Sequence, residues 1–244
     1  MSEITLIASG KGGVGKSTVS ALLGLSLAQS GKKVLIVELD AGLRCLDIML
    51  GVSDRAVFDL SDVAAGRCAP RDAIVCGDFS ENLFVAVAPN DPSFRFDNLG
   101  LAAFLKKLYG FFDFVLIDAP AGLGDQVKFA ASLCNRALII VTPDSISVRD
   151  GAKVSQLLRQ QSVTCQHLLI NKVNTEDPKK NGISDFDRIM DAVGIPLIGV
   201  ICDDKVHCRA LSEGKLSVDR GQIFEIFEAI AKRFLGNRVS LLII

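Results

Sequence analysis

The chain of 244 residues contains no tryptophan and a single tyrosine, Tyr109. Its apolar core therefore has to come from Val, Ile, Leu and Phe, which are spread along the whole length. Neither sign of charge is in excess, since 27 Lys and Arg stand against 28 Asp and Glu. With that balance, no broad basic field of the kind that attracts nucleic acid is evident. No apolar run reaches the roughly 18 residues of a membrane-spanning helix. The 7 cysteines are odd in number, irregularly spaced and free of any C-x-x-C pair. This excludes a disulfide framework and a paired zinc site; with no signal peptide, reduced thiols in a cytosolic protein are expected. His207-Cys208 has no second pair at zinc spacing and reads as a surface loop. Internal repeats and low-complexity tracts are also lacking.

What is present is a regular alternation. Short apolar runs at Glu3–Ala8, Lys33–Leu39, Leu83–Ala88, Phe112–Asp118, Ala137–Thr142, His167–Asn171 and Leu197–Ile201 read as strands. Several are almost continuously apolar, as strands buried on both faces are. Helical patterns lie between them, which predicts an α/β fold: a doubly wound, mainly parallel sheet in three αβα layers. The length fits one domain over 1–244. Exposed loops are expected at Asn90–Asn98, with Pro92, and at Asn174–Gly182, with Pro178.

The most informative stretch is Gly10-Lys-Gly-Gly-Val-Gly-Lys-Ser17, a full match to the phosphate-binding pattern G-x-x-x-x-G-K-[ST]. The strand-like Ile4–Ala8 precedes it. An Ala- and Leu-rich helical stretch, Ser17–Gln29, follows and stops at Gly31. Backbone N–H groups at such a helix start favour phosphate, and the glycines keep Cβ atoms out of its way. Gly10, Lys11, Gly12, Gly13, Val14, Gly15, Lys16, Ser17 and Thr18 are the candidate nucleotide-binding residues. Lys16 is placed to neutralise the terminal phosphates and Ser17 to ligate Mg²⁺. Val115-Leu-Ile-Asp118 is an apolar strand ending in a carboxylate, which can hold a Mg²⁺-bound water. Ser17 and Asp118 are thus the candidate metal residues.

Lys11 has no role in the minimal pattern. With it, Lys11 to Ser17 reads K-G-G-x-G-K-[ST], and the chain resembles the MinD/ParA family of deviant Walker A P-loop ATPases, most closely its MinD branch. The resemblance runs from Ile4 to about Leu235. It implies that Lys11 reaches the nucleotide of a partner subunit across an ATP-dependent homodimer. Asp40-Ala-Gly-Leu-Arg-Cys-Leu-Asp47 is similar to the family's first switch, which implies that Asp40 positions the attacking water. Lys11, Lys16 and Asp40 are on this basis the candidate catalytic residues. Asp118-Ala-Pro-Ala-Gly122 resembles the second switch, a sensor of the γ-phosphate. Asn171 matches the family's adenine-reading asparagine, and its amide offers both a donor and an acceptor. Ile201-Cys-Asp-Asp204 resembles the neighbouring base-contacting segment, with Cys202 in place of proline. Glu38 stands where the family usually carries aspartate. Thr142–Asp150 resembles a further family stretch; it reads either as a dimer or partner surface, or as a helix N-terminus capped by Ser145 or Ser147.

Ile223, Ile226, Phe227, Ile230 and Phe234 recur at helical spacing in Gln222–Leu235, as on a helix packed against the sheet. Beyond it, 237–244 is a short apolar tail without the basic face of the family's membrane helix. It reads either as a packing element or as a weak membrane contact that two tails in one dimer reinforce. The resemblance implies an ATP/ADP- and Mg²⁺-dependent ATPase that acts as a dimerisation switch in spatial regulation, foremost division-site placement. Protein regulators of placement are the implied partners. The location is cytoplasmic, with peripheral contact at the inner face of the cell membrane open. Two alternatives stand beside it: a DNA- or plasmid-partitioning or flagellar-placement ATPase, and a nucleotide-binding scaffold that hydrolyses little.

Overall fold

The computed structural model describes residues 2–94, 96, 98–176, 181, 185–215 and 221–242. Eight strands form one sheet: β1 (Glu3–Ala8), β2 (Val34–Glu38), β3 (Ile74–Cys76), β4 (Leu83–Ala86), β5 (Phe114–Asp118), β6 (Arg136–Val141), β7 (Cys165–Val173) and β8 (Leu197–Cys202). Their order is β3-β4-β2-β5-β1-β6-β7-β8. Every neighbouring pair is parallel except β3 with β4. β1 lies in the middle, and the chain winds outward from it to both sides. The crevice beyond its C-terminal end is where an open α/β sheet binds ligands.

The helices are α1 (Lys16–Gln29), α2 (Leu46–Met49), α3 (Leu60–Ala64), α4 (Asn98–Leu108), α5 (Asp125–Ser132), α6 (Ser145–Gln160), α7 (Phe186–Val193), α8 (Lys205–Ser212) and α9 (Gln222–Phe234), with a 3₁₀ turn at Pro70–Ala73. Strand side chains alternate between two apolar clusters. Leu6, Val37, Ile117 and Ile139 face the one containing Phe104 of α4, Val127 of α5 and Val154 of α6. Ile7, Ile36, Leu116 and Leu138 face the other, with Leu23 of α1 and Phe227 and Phe234 of α9. The period-two pattern of each strand thus feeds both faces, and the three-layer αβα architecture expected from the sequence is present.

All seven predicted strands form, with ends shifted by a residue or two. The predicted helices after the phosphate loop and at Gln222–Leu235 also form. The antiparallel edge strand β3 was not legible: three half-buried residues are too short to display a period. His207-Cys208 lies on a helix, α8, rather than a loop. The Asp204 carboxylate accepts the His207 N–H at 2.9 Å and so caps that helix. Helix α6 is capped by Asp144, not by Ser145 or Ser147. Ser147 instead returns the bond, its hydroxyl accepting the Thr142 N–H at 2.9 Å. In the predicted loop 174–182, Pro178 and Gly182 lie outside the described residues, as do Ile243 and Ile244 of the tail. No helix among the described residues is long and apolar enough to cross a membrane, and all seven cysteines are free thiols.

Candidate active site

The loop from Ser9 to Gly15 joins the end of β1 to the start of α1. Among the described residues, the backbone N–H groups of residues 11–17 meet no protein acceptor. A row of unpaired donors at the N-terminus of a 14-residue helix is a built anion site. The loop's shape needs its glycines. Gly15 sits at φ +96°, and a Cβ there would lie 2.5 Å from Asn171 Nδ2. A Cβ on Gly10 would meet the Cβ and carbonyl oxygen of Asp150 at 2.6 Å. Asp150, at the end of the Thr142–Asp150 stretch, therefore packs directly on the loop. Lys16 is buried with 8% of its surface exposed, whereas Lys11 is exposed.

Asp118 ends β5 beside this loop, in register with Ile7 of β1 and Glu38 of β2. It is wholly buried. The Ser17 hydroxyl donates to one carboxylate oxygen at 2.6 Å and the Ser20 hydroxyl to the other at 3.1 Å. Burial pushes the Asp118 carboxyl up to about 7, against the lowering pull of Ser17, Lys16 and Ser20. Ser17 and Asp118 form a pair of hard oxygen donors at the helix start, a set that suits Mg²⁺. The two residues picked from sequence for the metal are thus brought together; Ser20, which helps hold Asp118, was not picked out.

Glu38 takes no part in the open cleft. Its side chain is fully buried. One carboxylate oxygen accepts the backbone N–H groups of Cys45 at 2.9 Å and Leu46 at 3.2 Å. The other accepts the N–H of Ala88 at 3.2 Å. Burial raises its pKa, and the three backbone donors offset part of that rise. The residue that departs from the family pattern is thus a strap: it ties the first-switch segment to the chain leaving β4. Arg44 and Asp47 also act within the segment, paired at 2.9 Å, with Arg44 donating to the Ala56 carbonyl as well.

Asp40 lies half-exposed at the end of this strap. It lines a cleft of about 620 Å³ together with Pro120, Ala121 and Gln126 of the second-switch region. The Gln126 Nε2 atom is buried there without a protein partner. The cleft joins the two segments expected to surround the transferred phosphate. Lys11 is held elsewhere: its ammonium lies 3.3 Å from the Asp144 carboxylate, which also accepts the Thr142 hydroxyl at 2.6 Å.

On the other side of the loop, Asn171 Nδ2 donates to the Val14 carbonyl at 2.7 Å and Lys172 Nζ to the Gly13 carbonyl at 2.8 Å. Lys172 has φ +58°, at a register shift between β7 and β8. That irregularity allows consecutive side chains to reach the same loop, so Lys172 joins the site although no pattern singled it out. A cavity of about 140 Å³ lies here between Thr18, Asn171, Cys202 and Cys208, where the sequence placed the base.

The ParA family model, described as NUBPL iron-transfer P-loop NTPase, matches residues 1–235. The chain belongs to the ParA family of P-loop NTPases. Within it, the chain is 34% identical over 249 residues to the septum site-determining protein MinD of Bacillus subtilis (strain 168), covering 99% of this chain and 92% of that one. It is 33% identical to the MinD of Helicobacter pylori, covering 98% and 93%. Among solved structures, the MinC:MinD cell division protein complex of Aquifex aeolicus superposes with a TM-score of 0.90 at 30% identity, over 99% and 98% of the two chains. MinD complexed with Mg-ADP from Pyrococcus horikoshii gives 0.85 at 29%, over 96% of each. A plasmid partition protein of Borrelia burgdorferi shares the fold alone, at 18% identity and a TM-score of 0.79. This ParA-family chain is a MinD-like P-loop ATPase. The partitioning and scaffold alternatives are not favoured.

Proposed function

We propose that the loop Gly10–Thr18 binds the phosphates of ATP and that the chain hydrolyses it to ADP and phosphate as the timer of a homodimer switch. The observation that carries this is the row of unpaired N–H groups at 11–17, set beside the Ser17–Asp118 pair. Lys16 neutralises the β- and γ-phosphates. Ser17 would hold Mg²⁺, with Asp118 supporting it, and the ion would supply positive charge to the phosphates. Asp40 orients a water toward the γ-phosphorus; the bond to the ADP oxygen breaks as the bond to water forms. Such transfer needs alignment more than a strong base. Asn171 reads the base beside Thr18.

Lys11 acts in trans. Within one chain its ammonium rests on Asp144, so in the dimer it exchanges that partner for the nucleotide of the second subunit. The whole chain, 1–244, works as one domain in this reading. The ATP-bound dimer recruits a division regulator; the relative from Aquifex aeolicus is solved in a complex with MinC. The near-equal charge count supports a protein partner over nucleic acid. The protein resides in the cytoplasm, and the tail 237–244 contacts the inner membrane face in the dimer.

Light scattering with ATP and Mg²⁺ tests the switch. The Asp40→Ala chain should accumulate as a dimer, and Lys11→Ala in that background should remain monomeric. A double variant that dimerises as readily as Asp40→Ala refutes the role in trans.

A further inference from the structure

A second hollow lies at the opposite end of the sheet from the phosphate loop. Its volume is about 490 Å³, and it opens where β2 and β5 begin, beneath the last turn of α4 and beside the 3₁₀ turn. Pockets of this size accommodate small organic ligands. Three aromatic rings, Phe84, Phe111 and Phe112, form much of its wall. Phe84 and Phe112 meet edge to face with centroids 5.4 Å apart. Phe111 is 66% exposed, an apolar surface that folding by itself leaves in water.

Three cations, Lys33, Arg71 and Lys107, also line it, the rest being Ala69, Pro70, Ile74 and Leu108, with no carboxylate among them. The Lys33 ammonium stands 5.4 Å and 5.6 Å from the Phe84 and Phe112 centroids. Neither Lys33 nor Lys107 has an ion pair among the described residues. The nearby acids are engaged: Asp72 lies 3.5 Å from Arg71, and Asp113 accepts the Lys33 backbone N–H at 2.8 Å. An aromatic hollow with unpaired cations at its mouth is complementary to a ligand with an apolar body and one negative charge. The body removes ring surface from water, and the charge meets Lys107 and Lys33.

We propose that this hollow binds a small amphiphilic carboxylate, at a site separate from the nucleotide. Calorimetric titration with decanoate, kept below its micelle concentration, and with decan-1-ol tests this on the full chain. Decanoate should bind one per chain, and decanol about tenfold more weakly, since only the carboxylate makes the charge-assisted contact. Lys107→Glu should weaken decanoate and leave decanol unchanged; Phe111→Ala should weaken both. Both variants should retain wild-type affinity for a fluorescent ATP analogue, which reports an intact fold. Equal binding of decanoate and decanol, indifference of decanoate to Lys107→Glu, or no saturable binding overturns the proposal. So does capture by anionic phospholipid vesicles without binding of monomeric decanoate, which would make the exposed face a membrane contact instead.

Discussion

Removing the Glu38 carboxylate would leave three backbone N–H groups, those of Cys45, Leu46 and Ala88, without their acceptor. Glu38→Ala should therefore lower the unfolding free energy by about 3 kcal/mol or more. Glu38→Gln is the more telling variant. Its amide oxygen can still serve Cys45 and Leu46, but its NH₂ group then faces the Ala88 N–H, two donors together. A loss of about 1–3 kcal/mol is expected, seen as a lower urea midpoint with an unchanged slope. A glutamine chain as stable as wild type would contradict the strap. At Gly15 the backbone and a neighbour act together. Gly15→Ala must adopt φ +96° with a side chain and push Asn171 from the Val14 carbonyl. Affinity for a fluorescent ATP analogue should drop more than about tenfold while circular dichroism stays native. The phosphate loop was legible because its pattern is contiguous. The use of Glu38 was not, since its three partners lie 7, 8 and 50 positions away.

At the scale of elements, the start of α6 joins two duties. The Asp144 carboxylate caps the helix through the Ser147 N–H at 3.0 Å and pairs with Lys11. Asp144→Asn separates them, because asparagine caps as well as aspartate but carries no charge. Stability should fall by no more than the worth of the exposed pair, about 0.2–1 kcal/mol, because the cap is kept. Lys11 is then free to leave. Exposed pairs of this kind contribute about 0.2–1 kcal/mol, and a dimer releases two, so ATP-dependent dimerisation should tighten by about two- to thirtyfold. Sedimentation of Asp144→Asn in the Asp40→Ala background measures it; an unchanged dimer constant means that Lys11 does not leave Asp144 on assembly. The sequence offered two readings of Thr142–Asp150, a helix start or an interaction surface. The helix start is present, but the cap is Asp144, whose carboxylate also satisfies Thr142. A list of cap-forming residue types cannot rank Asp144, Ser145 and Ser147, since the chain direction at β6 decides which side chain faces the free N–H groups.

At the scale of the whole molecule, the proposed membrane contact of the tail is the point to test. Arg233 of α9 donates to the Ile198 carbonyl at 2.6 Å and to the Val239 carbonyl at 2.9 Å, and also to the Ser240 carbonyl. This fixes the start of the tail against the domain. Leu241 and Leu242 remain 41% and 37% exposed. At about 25 cal/mol per Å² of apolar area, one such tail offers only a few kcal/mol before the cost of ordering it. In the proposed dimer, two tails held together would bind where a single tail would not. Wild type should float with liposomes in ATP and much less in ADP, and a chain ending at Asn237 should float in neither. Flotation of the shortened chain at the wild-type level would assign membrane affinity to another surface.

Sequence alone determined the α/β class, the strand positions to within a residue or two and the phosphate-loop pattern, and it named Ser17 and Asp118 as candidates for Mg²⁺. These depend on local signals: apolar runs of strand length, a glycine pattern over eight positions, and a carboxylate at a strand end. Tertiary structure decided the rest. It set Glu38 and Asp118 side by side on neighbouring strands, gave Lys11 its partner 133 positions away and bent β7 so that Lys172 reaches Gly13. It also placed an aromatic and cationic hollow where four separate segments meet. The physical reason is the same in each case. A hydrogen bond, an ion pair or a cavity wall depends on which side chains the sheet order brings within a few ångströms, and that order is fixed by the packing of both sheet faces at once.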